Sequence, residues 1–153
     1  MVYWGIAAAV IIVDQISKSW IRGTMALGES VSLAGNYLHL TYVHNYGAAF
    51  SILQNRQTLL VALPLLITAA ITGYVVKRGS TLSTAEVVAL SLIAGGGLGN
   101  LVDRIRFGYV VDFINIRILP VFNVADMAVC AGSALLVYCV AVLEARSAKS
   151  DLS

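Results

Sequence analysis

Four long apolar segments dominate this sequence and restrict what it can fold into. They cover residues 2–18, 58–76, 84–102 and 123–143. A helix needs about 20 mainly apolar residues to cross a bilayer. Only 12% of the 153 residues are charged, whereas about 25% is usual in a soluble domain. The first segment has no basic residue before it, which favours a retained span over a cleaved signal. The sequence therefore predicts one polytopic membrane domain over residues 1–153.

Two of the three connections between these segments have strand-like composition. Residues 37–42 alternate bulky apolar with more polar side chains, and Gly35-Asn36 is a suitable turn after a strand at 31–33. Residues 107–118 are rich in Val, Ile, Phe and Tyr. An even number of spans puts both connections on one side of the membrane. The predicted architecture is an all-α bundle of four transmembrane helices with a small β layer on one face.

Four aspartates fall at the face that carries the predicted β layer. Asp14 and Asp103 lie near the ends of the first and third spans, Asp112 lies in a connection, and Asp126 opens the fourth span. Acids at membrane depth cost about 2.5–3.5 kcal/mol at a helix centre and are usually functional. One continuous helix would hold Asp112 and Asp126 roughly 21 Å apart, but Pro120 breaks such a helix. The two carboxylates can therefore approach each other.

Two of these acids have simple structural explanations in the local sequence. Asp14 precedes Lys18 by four residues, a spacing that allows an ion pair on one helix face. Asp103 is adjacent to Arg104 and close to Arg106, so a local ion pair is the expected role of its carboxylate. Neither acid requires a catalytic function on this evidence alone.

The other two acids differ in how well the local sequence explains them. Asn123 is a good N-cap, and Asp126 would then lie in the first helical turn, where a carboxylate favours the helix dipole. Asp112 stands in an apolar run with no Lys or Arg within four residues. Two such carboxylates brought together can perform acid–base chemistry on a peptide bond.

Other features favour packing or exclude further classes of site. Gly95 and Gly99 are four residues apart, which allows close helix packing, and no Lys-Ser/Thr follows to make a phosphate loop. Cys130 and Cys139 are too far apart along one helix for a disulfide and are expected to pack as apolar residues. The acids could hold a divalent cation, but we expect no metal. The scattered basic residues do not suggest binding of nucleic acid.

Five blocks of the sequence resemble the motifs of the lipoprotein signal peptidase family, also called signal peptidase II. The blocks, in chain order, lie at residues 14–18, 44–51, 96–104, 111–113 and 122–126. The resemblance extends over nearly the whole chain. It implies a membrane aspartic endopeptidase that removes the signal peptide from prolipoproteins by cutting before a diacylglyceryl-modified cysteine. It also implies that no cofactor is needed.

The resemblance assigns roles to particular residues of this chain. It makes Asp112 and Asp126 the catalytic pair. The positions that it implies bind substrate or support the site are Asp14, Lys18, Asn45, Gly47, Asn100, Asp103, Arg104, Asn123 and Ala125. Which of the two catalytic acids acts as the base at each step stays open, because a close pair titrates as a unit.

The resemblance also implies a cellular setting. The protein would be a multi-pass monomer of the bacterial cytoplasmic membrane, in contact with lipid and prolipoprotein substrates. Both termini would be cytoplasmic, with the β layer and the site near the extracytoplasmic face. Counting basic residues gives the opposite orientation. Six lie on the site face, namely Lys18, Arg22, Arg56, Arg104, Arg106 and Arg117, and four on the other, namely Lys77, Arg78, Arg146 and Lys149.

A small proton- or ion-coupled transporter is the alternative function, since acids within a membrane protein can relay charge. Transport sites tend to lie near the midplane of the bilayer, within inverted repeats. In this chain the acids cluster at the span ends, and the sequence has no evident internal repeat. A peptidase is therefore the favoured prediction.

Overall fold

The computed structural model describes residues 2–47 and 56–150, with side chains to residue 141. Its four long helices are α1 Val2–Thr24, α2 Gln57–Arg78, α3 Thr84–Phe107 and α4 Val124–Ser150. Each is long and apolar enough to cross a membrane, α4 within Val124–Ala141. The four predicted spans are thus confirmed. Helices α1 and α3 continue beyond the predicted ends at residues 18 and 102, and residues 48–51 of the second family block lie outside the described residues.

Helix α3 is the central element of the bundle and packs against the other three helices. Half of its membrane-spanning part is buried, compared with 6% for α2. Its glycines allow this close approach: a Cβ at Gly95 would lie 2.9 Å from the carbonyl oxygen of Ala7 in α1. The predicted packing role of the glycines is therefore confirmed. The helix begins at a capping box formed by Ser83 and Glu86.

A substitution at Gly95 tests this packing. We expect Gly95→Ala to lower the free energy of unfolding by about 1–3 kcal/mol, because the added methyl group overpacks the α1–α3 contact. Gly97→Ala is the matched control in the same helix, since its Cβ would meet only Thr68 Oγ1 at an ordinary 3.6 Å. That variant should be neutral or slightly stabilising. Equal unfolding curves for the two variants in detergent would contradict the packing argument.

Three antiparallel strands form the β layer, in the order β1 Ser30–Ala34, β2 Leu38–Asn45 and β3 Val110–Asn115. The predicted turn is confirmed, with Gly35 at a φ of 53°. The third strand is shorter than the predicted 107–118, because α3 runs on to Phe107 and ends at Gly108, whose φ is 80°. The register places Val43 opposite Asp112.

The sheet is anchored on the helices by one apolar cluster. Ile21 near the end of α1, Tyr42 of β2, and Val111 and Phe113 of β3 are all buried there. Since Val111 and Phe113 flank Asp112 in the strand, burial of their side chains fixes the position of Asp112 along β3. Packing of the apolar core therefore determines where Asp112, one of the predicted site residues, lies.

Candidate active site

Asp112 lies in the middle of β3, and only 2% of its surface is exposed. Its two carboxylate oxygens have different partners. Asn45 Nδ2, on the neighbouring strand, donates to Oδ2 at 2.9 Å, and Asn123 Nδ2, at the start of α4, donates to Oδ1 at 2.6 Å. The acid that the local sequence could not explain is therefore held by amides from two other elements.

Asp126 lies in the first turn of α4. The backbone N–H of Asp126 donates to Asn123 Oδ1 at 2.9 Å, and the N–H of Asn123 donates to Asp126 Oδ2 at 3.3 Å. The predicted capping role is thus confirmed. The other carboxylate oxygen, Oδ1, accepts a hydrogen bond from Asn100 Nδ2 of α3 at 2.7 Å. Capping and a role in the site are therefore compatible for this residue.

Asp112 and Asp126, which we call the aspartate pair, belong to one site. Asn123 contacts both of them, and both line a cavity of about 1000 Å³, which we call the site cavity. Burial and the nearby charge of Asp126 raise the pKa of Asp112 from 3.8 to about 7, although the amides of Asn45 and Asn123 and the charge of Lys18 oppose the rise. The pair can therefore hold one proton near neutral pH.

Behind the aspartate pair lies a buried ion cluster formed by Asp14, Lys18 and Asp103. Lys18 Nζ lies 2.8 Å from Asp14 Oδ2 and 3.1 Å from Asp103 Oδ2. The predicted pairing of Asp14 with Lys18 is confirmed. The predicted local pairing of Asp103 with Arg104 or Arg106 is wrong, because the carboxylate of Asp103 faces α1.

Arg104 and Gly47 meet at the edge of the site cavity. Arg104 Nη2 donates to the carbonyl oxygen of Gly47 at 3.1 Å, and the N–H of Gly47 donates to Asn45 Oδ1 at 2.9 Å. Asn45 therefore joins Gly47 to Asp112. Ala125 is fully buried, and its N–H donates to Asp14 Oδ1 at 2.9 Å. All eleven residues that the sequence assigned to the site are thus brought into one connected region.

Gln15 belongs to the first family block but was not among the residues that the resemblance assigned to the site. Gln15 Nε2 donates to Asp103 Oδ1 at 2.8 Å and to the carbonyl oxygen of Gly99 at 3.1 Å. Gln15 precedes Lys18 by three residues, and this spacing could have identified it as part of the same helix face.

The site cavity has largely apolar walls from three helices. The helical lining residues are Pro64, Ile67 and Thr68 of α2, Ile93, Gly97, Asn100 and Arg104 of α3, and Asp126, Met127, Val129 and Cys130 of α4. Strands β2 and β3, Tyr46 and the segment before α4 complete the lining. The cavity thus joins a polar end, at the aspartate pair, to an apolar cleft between helices.

Neither cysteine is in a disulfide. Cys139 is buried, as predicted for a packing residue, whereas Cys130 is exposed and lines the site cavity. Among the described residues, no three His, Cys, Asp or Glu side chains are grouped closely enough to hold a metal ion.

Comparisons with known proteins agree with this architecture. The family model described as Signal peptidase (SPase) II matches residues 6–142. A lipoprotein signal peptidase of Moorella thermoacetica is 44% identical over 134 residues, covering 86% of this chain and 87% of the relative. One from Halothermothrix orenii is 46% identical over 129 residues, covering 84% and 87%.

Solved structures of bacterial membrane enzymes are similar to this chain in sequence and in fold. A bacterial membrane enzyme determined by the in meso method at 2.3 Å resolution is 34% identical, with a TM-score of 0.87 over 97% of this chain and 91% of the other. A second such structure, at 1.9 Å resolution, has a TM-score of 0.83 at 34% identity and covers 91% and 92%. This multi-pass bacterial membrane protein belongs to the signal peptidase II family.

Proposed function

We propose that this protein is an aspartic endopeptidase that removes the signal peptide from diacylglyceryl-modified prolipoproteins, cutting just before the lipidated cysteine. The observation that carries the proposal is the convergence of Asp112 and Asp126 on one cavity, joined through Asn123. Family membership supports the peptidase activity and the prolipoprotein substrate. The geometry of the aspartate pair supports the catalytic class.

The chemistry follows from the shared proton. Two close carboxylates in a low-dielectric site do not both ionise readily. The raised pKa of Asp112 supports assigning the proton to it. Asp126 then takes a proton from water as the water oxygen bonds to the scissile carbonyl carbon, and Asp112 protonates the carbonyl oxygen. When the resulting diol collapses, the C–N bond breaks, the nitrogen takes the proton from Asp126, and a diol hydroxyl returns one to Asp112.

Lipid attached to the substrate suits the shape of the site cavity. Its apolar walls come from α2, α3 and α4, whereas its polar end holds the aspartate pair. Acyl chains can therefore stay among apolar side chains while the peptide bond reaches the acids. Asn45, Gly47 and Arg104 fix the end of β2 beside the pair, where an extended substrate chain would pass.

The proposed orientation has both termini in the cytoplasm and the site near the extracytoplasmic face. The excess of basic residues on the site face does not argue strongly against it, because several are held by the fold. Lys18 is in the buried ion cluster, and Arg104 bonds Gly47. The Arg22 guanidinium lies 4.0 Å above the Phe107 ring, and Arg117 lies 3.0 Å from His39. We further propose a monomer that forms one domain over residues 1–153.

The position of the aspartate pair does not support the alternative function, a proton- or ion-coupled transporter. The aspartate pair lies in a strand and in the first turn of a helix, at one end of the bundle, rather than at broken helices near the midplane. The family to which the chain belongs is one of peptidases.

One experiment tests the proposed function directly. The purified protein is incubated in detergent with a precursor that carries a diacylglyceryl group on its cysteine, and the products are weighed by mass spectrometry. We expect two products, the signal peptide and a mature chain that begins with the lipidated cysteine. An unchanged precursor mass, or cleavage at another bond, would overturn the proposal.

The pKa of Asp112 predicts a pH dependence. If Asp112 must be protonated to donate to the carbonyl, kcat/KM should fall as pH rises through about 7, where Asp112 of the free protein loses its proton. Single-turnover cleavage from about pH 5 to about pH 9 measures this, with tryptophan fluorescence at each pH to confirm the fold. A rate that stays constant through neutral pH and above would contradict the assignment of the proton to Asp112.

The mechanism also predicts that activity does not depend on a divalent cation. Lys18 pairs with both Asp14 and Asp103 and already occupies the position that a cation would take between them. We expect the cleavage rate after exhaustive treatment with a strong chelator to match that of untreated protein. Loss of activity that is restored by adding a divalent ion would make the acids metal ligands and overturn the mechanism.

A further inference from the structure

We propose that Lys18 is a positioning residue that fixes the placement of both members of the aspartate pair relative to each other. The inference rests on the proposed function, since it requires that Asp112 and Asp126 act together. Lys18 touches neither acid directly. It acts through three groups that its ammonium contacts, the carboxylates of Asp14 and Asp103 and the amide of Asn100.

The first step is the orientation of Asn100. Lys18 Nζ donates to Asn100 Oδ1 at 2.9 Å, and Asn123 Nδ2 donates to the same oxygen at 3.0 Å. An ammonium has three donors and no acceptor. The Asn100 atom that faces Lys18 must therefore be the oxygen. Its Nδ2 is then turned toward Asp126 Oδ1, to which it donates at 2.7 Å.

The second step concerns the two carboxylates that pair with Lys18. Asp14 Oδ1 accepts the backbone N–H of Ala125 at 2.9 Å. Asp103 Oδ2 accepts the backbone N–H of Val111 at 3.0 Å. Each of these amides belongs to the residue immediately before one member of the aspartate pair.

Lys18 thus links two equivalent contacts between a carboxylate and a backbone N–H. One carboxylate holds the backbone before Asp126 in α4, and the other holds the backbone before Asp112 in β3. Because both carboxylates bind the same ammonium, the start of α4 and strand β3 are tied to one point on α1. Lys18 is 2% exposed, and Asp14 and Asp103 are 0% and 1% exposed, so water does not screen or replace these bonds. An exposed ion pair could not impose such a fixed geometry.

The test uses two substitutions of Lys18. Lys18→Met keeps most of the side-chain volume and removes the charge and all three donors. We expect kcat to fall about 100-fold with KM changed less than about threefold, because the aspartate pair loses its alignment while the walls of the site cavity are untouched. The charge-matched variant Asp14→Asn/Lys18→Met removes one positive and one negative charge together. It can still accept the Ala125 N–H through the oxygen of the new amide.

The pH profile separates positioning from a general structural role. The charged groups around Asp112 are Asp126 from α4, Arg104 and Asp103 from α3, and Lys18 with its partner Asp14 from α1, and His44 lies on the neighbouring strand. Helix α2 contributes no titratable side chain to the described cavity lining. Lys18 holds the pKa of Asp112 down, so Lys18→Met should move the Asp112 titration to higher pH. In the charge-matched variant the titration should stay closer to its original pH, while kcat stays low.

A control variant tests whether the loss of any buried polar group would have the same effect. Ser91→Ala removes another fully buried polar group of the bundle, one that bonds only within α3, and should leave kcat and the pH profile unchanged. The inference is overturned if either Lys18 variant folds and cleaves at the wild-type rate. It is equally overturned if neither folds, because Lys18 would then serve the fold rather than the aspartate pair. Retained cleavage by Asp112→Asn would instead overturn the proposed function.

Discussion

Replacing either member of the aspartate pair by asparagine is expected to lower kcat by at least about 1000-fold while the protein stays folded in the membrane. Asparagine cannot ionise to accept a proton from water and cannot donate an acidic proton to a carbonyl. Asp126→Asn is the cleaner change, because the oxygen of the new amide can keep the 2.7 Å bond from Asn100, and only the longer 3.3 Å bond from the N–H of Asn123 is lost. Asp112→Asn puts an amide nitrogen beside one of two existing amide donors, from Asn45 or Asn123. Some loss of stability is expected there.

Glu86→Gln provides the matched control for Asp126→Asn. Glu86 also lies in the first turn of a membrane-spanning helix and also accepts from a capping residue, Ser83, but it belongs to α3 at the end away from the site. Cleavage of a modified precursor and thermal unfolding in detergent are measured for all three variants. Near-normal cleavage by Asp112→Asn or Asp126→Asn would refute the catalytic pair. If Asp126→Asn failed to fold while Glu86→Gln folded, the role of Asp126 would be capping.

The spans could be predicted from sequence because a bilayer imposes a length and a composition on each helix separately. The residues at which the spans end could not be predicted in this way. Lys18 and Arg22 near the end of α1 look like interfacial residues, yet α1 continues to Thr24. The fold accommodates them, because Lys18 is paired with buried carboxylates and Arg22 lies over the ring of Phe107. Helix ends of this kind depend on partners in other elements.

The position of a site residue could be predicted where the local sequence determines it. Pro120 and the capping signal at Asn123 indicated that Asp126 opens a helix, and the structure agrees. The partner of Asp103 was not predictable in this way. Neighbouring residues on a helix point in different directions, so Asp103 does not have to face Arg104. Its actual partner, Lys18, depends on the register of α1 against α3.

That register is set by a close helix contact. A Cβ at Gly99 would lie 2.8 Å from Asp14 Oδ2, so only glycine lets α3 come this near to the ion cluster. Sequence reasoning identified the glycines as packing residues but had no means of knowing which helix face they meet. The same limit applies to the site cavity, whose lining comes from helices and strands far apart in the chain.

The second large effect expected is on substrate choice. A precursor that lacks the diacylglyceryl group should be cut with a kcat/KM at least about 100-fold lower than the modified precursor, even when its signal helix inserts normally. The polar end of the site cavity holds the aspartate pair, and the apolar walls of the cavity form a cleft between α2, α3 and α4. Acyl chains in that cleft would hold the adjacent peptide bond at the acids, each buried CH₂ contributing roughly 0.8 kcal/mol.

Two substitutions in α2 connect this preference to the cleft. Thr68 lines the site cavity, and Thr68→Phe should obstruct the lipid path and lower kcat/KM for the modified precursor toward that for the unmodified one. Leu66→Phe is the matched control, because Leu66 is 67% exposed on the outside of the same helix and should leave the preference intact. Both precursors are compared in one liposome preparation, so that insertion of the signal helix is equal. Equal cleavage of the two precursors by the unaltered protein would mean that the attached lipid is not recognised, and the cleft would then serve the signal helix alone.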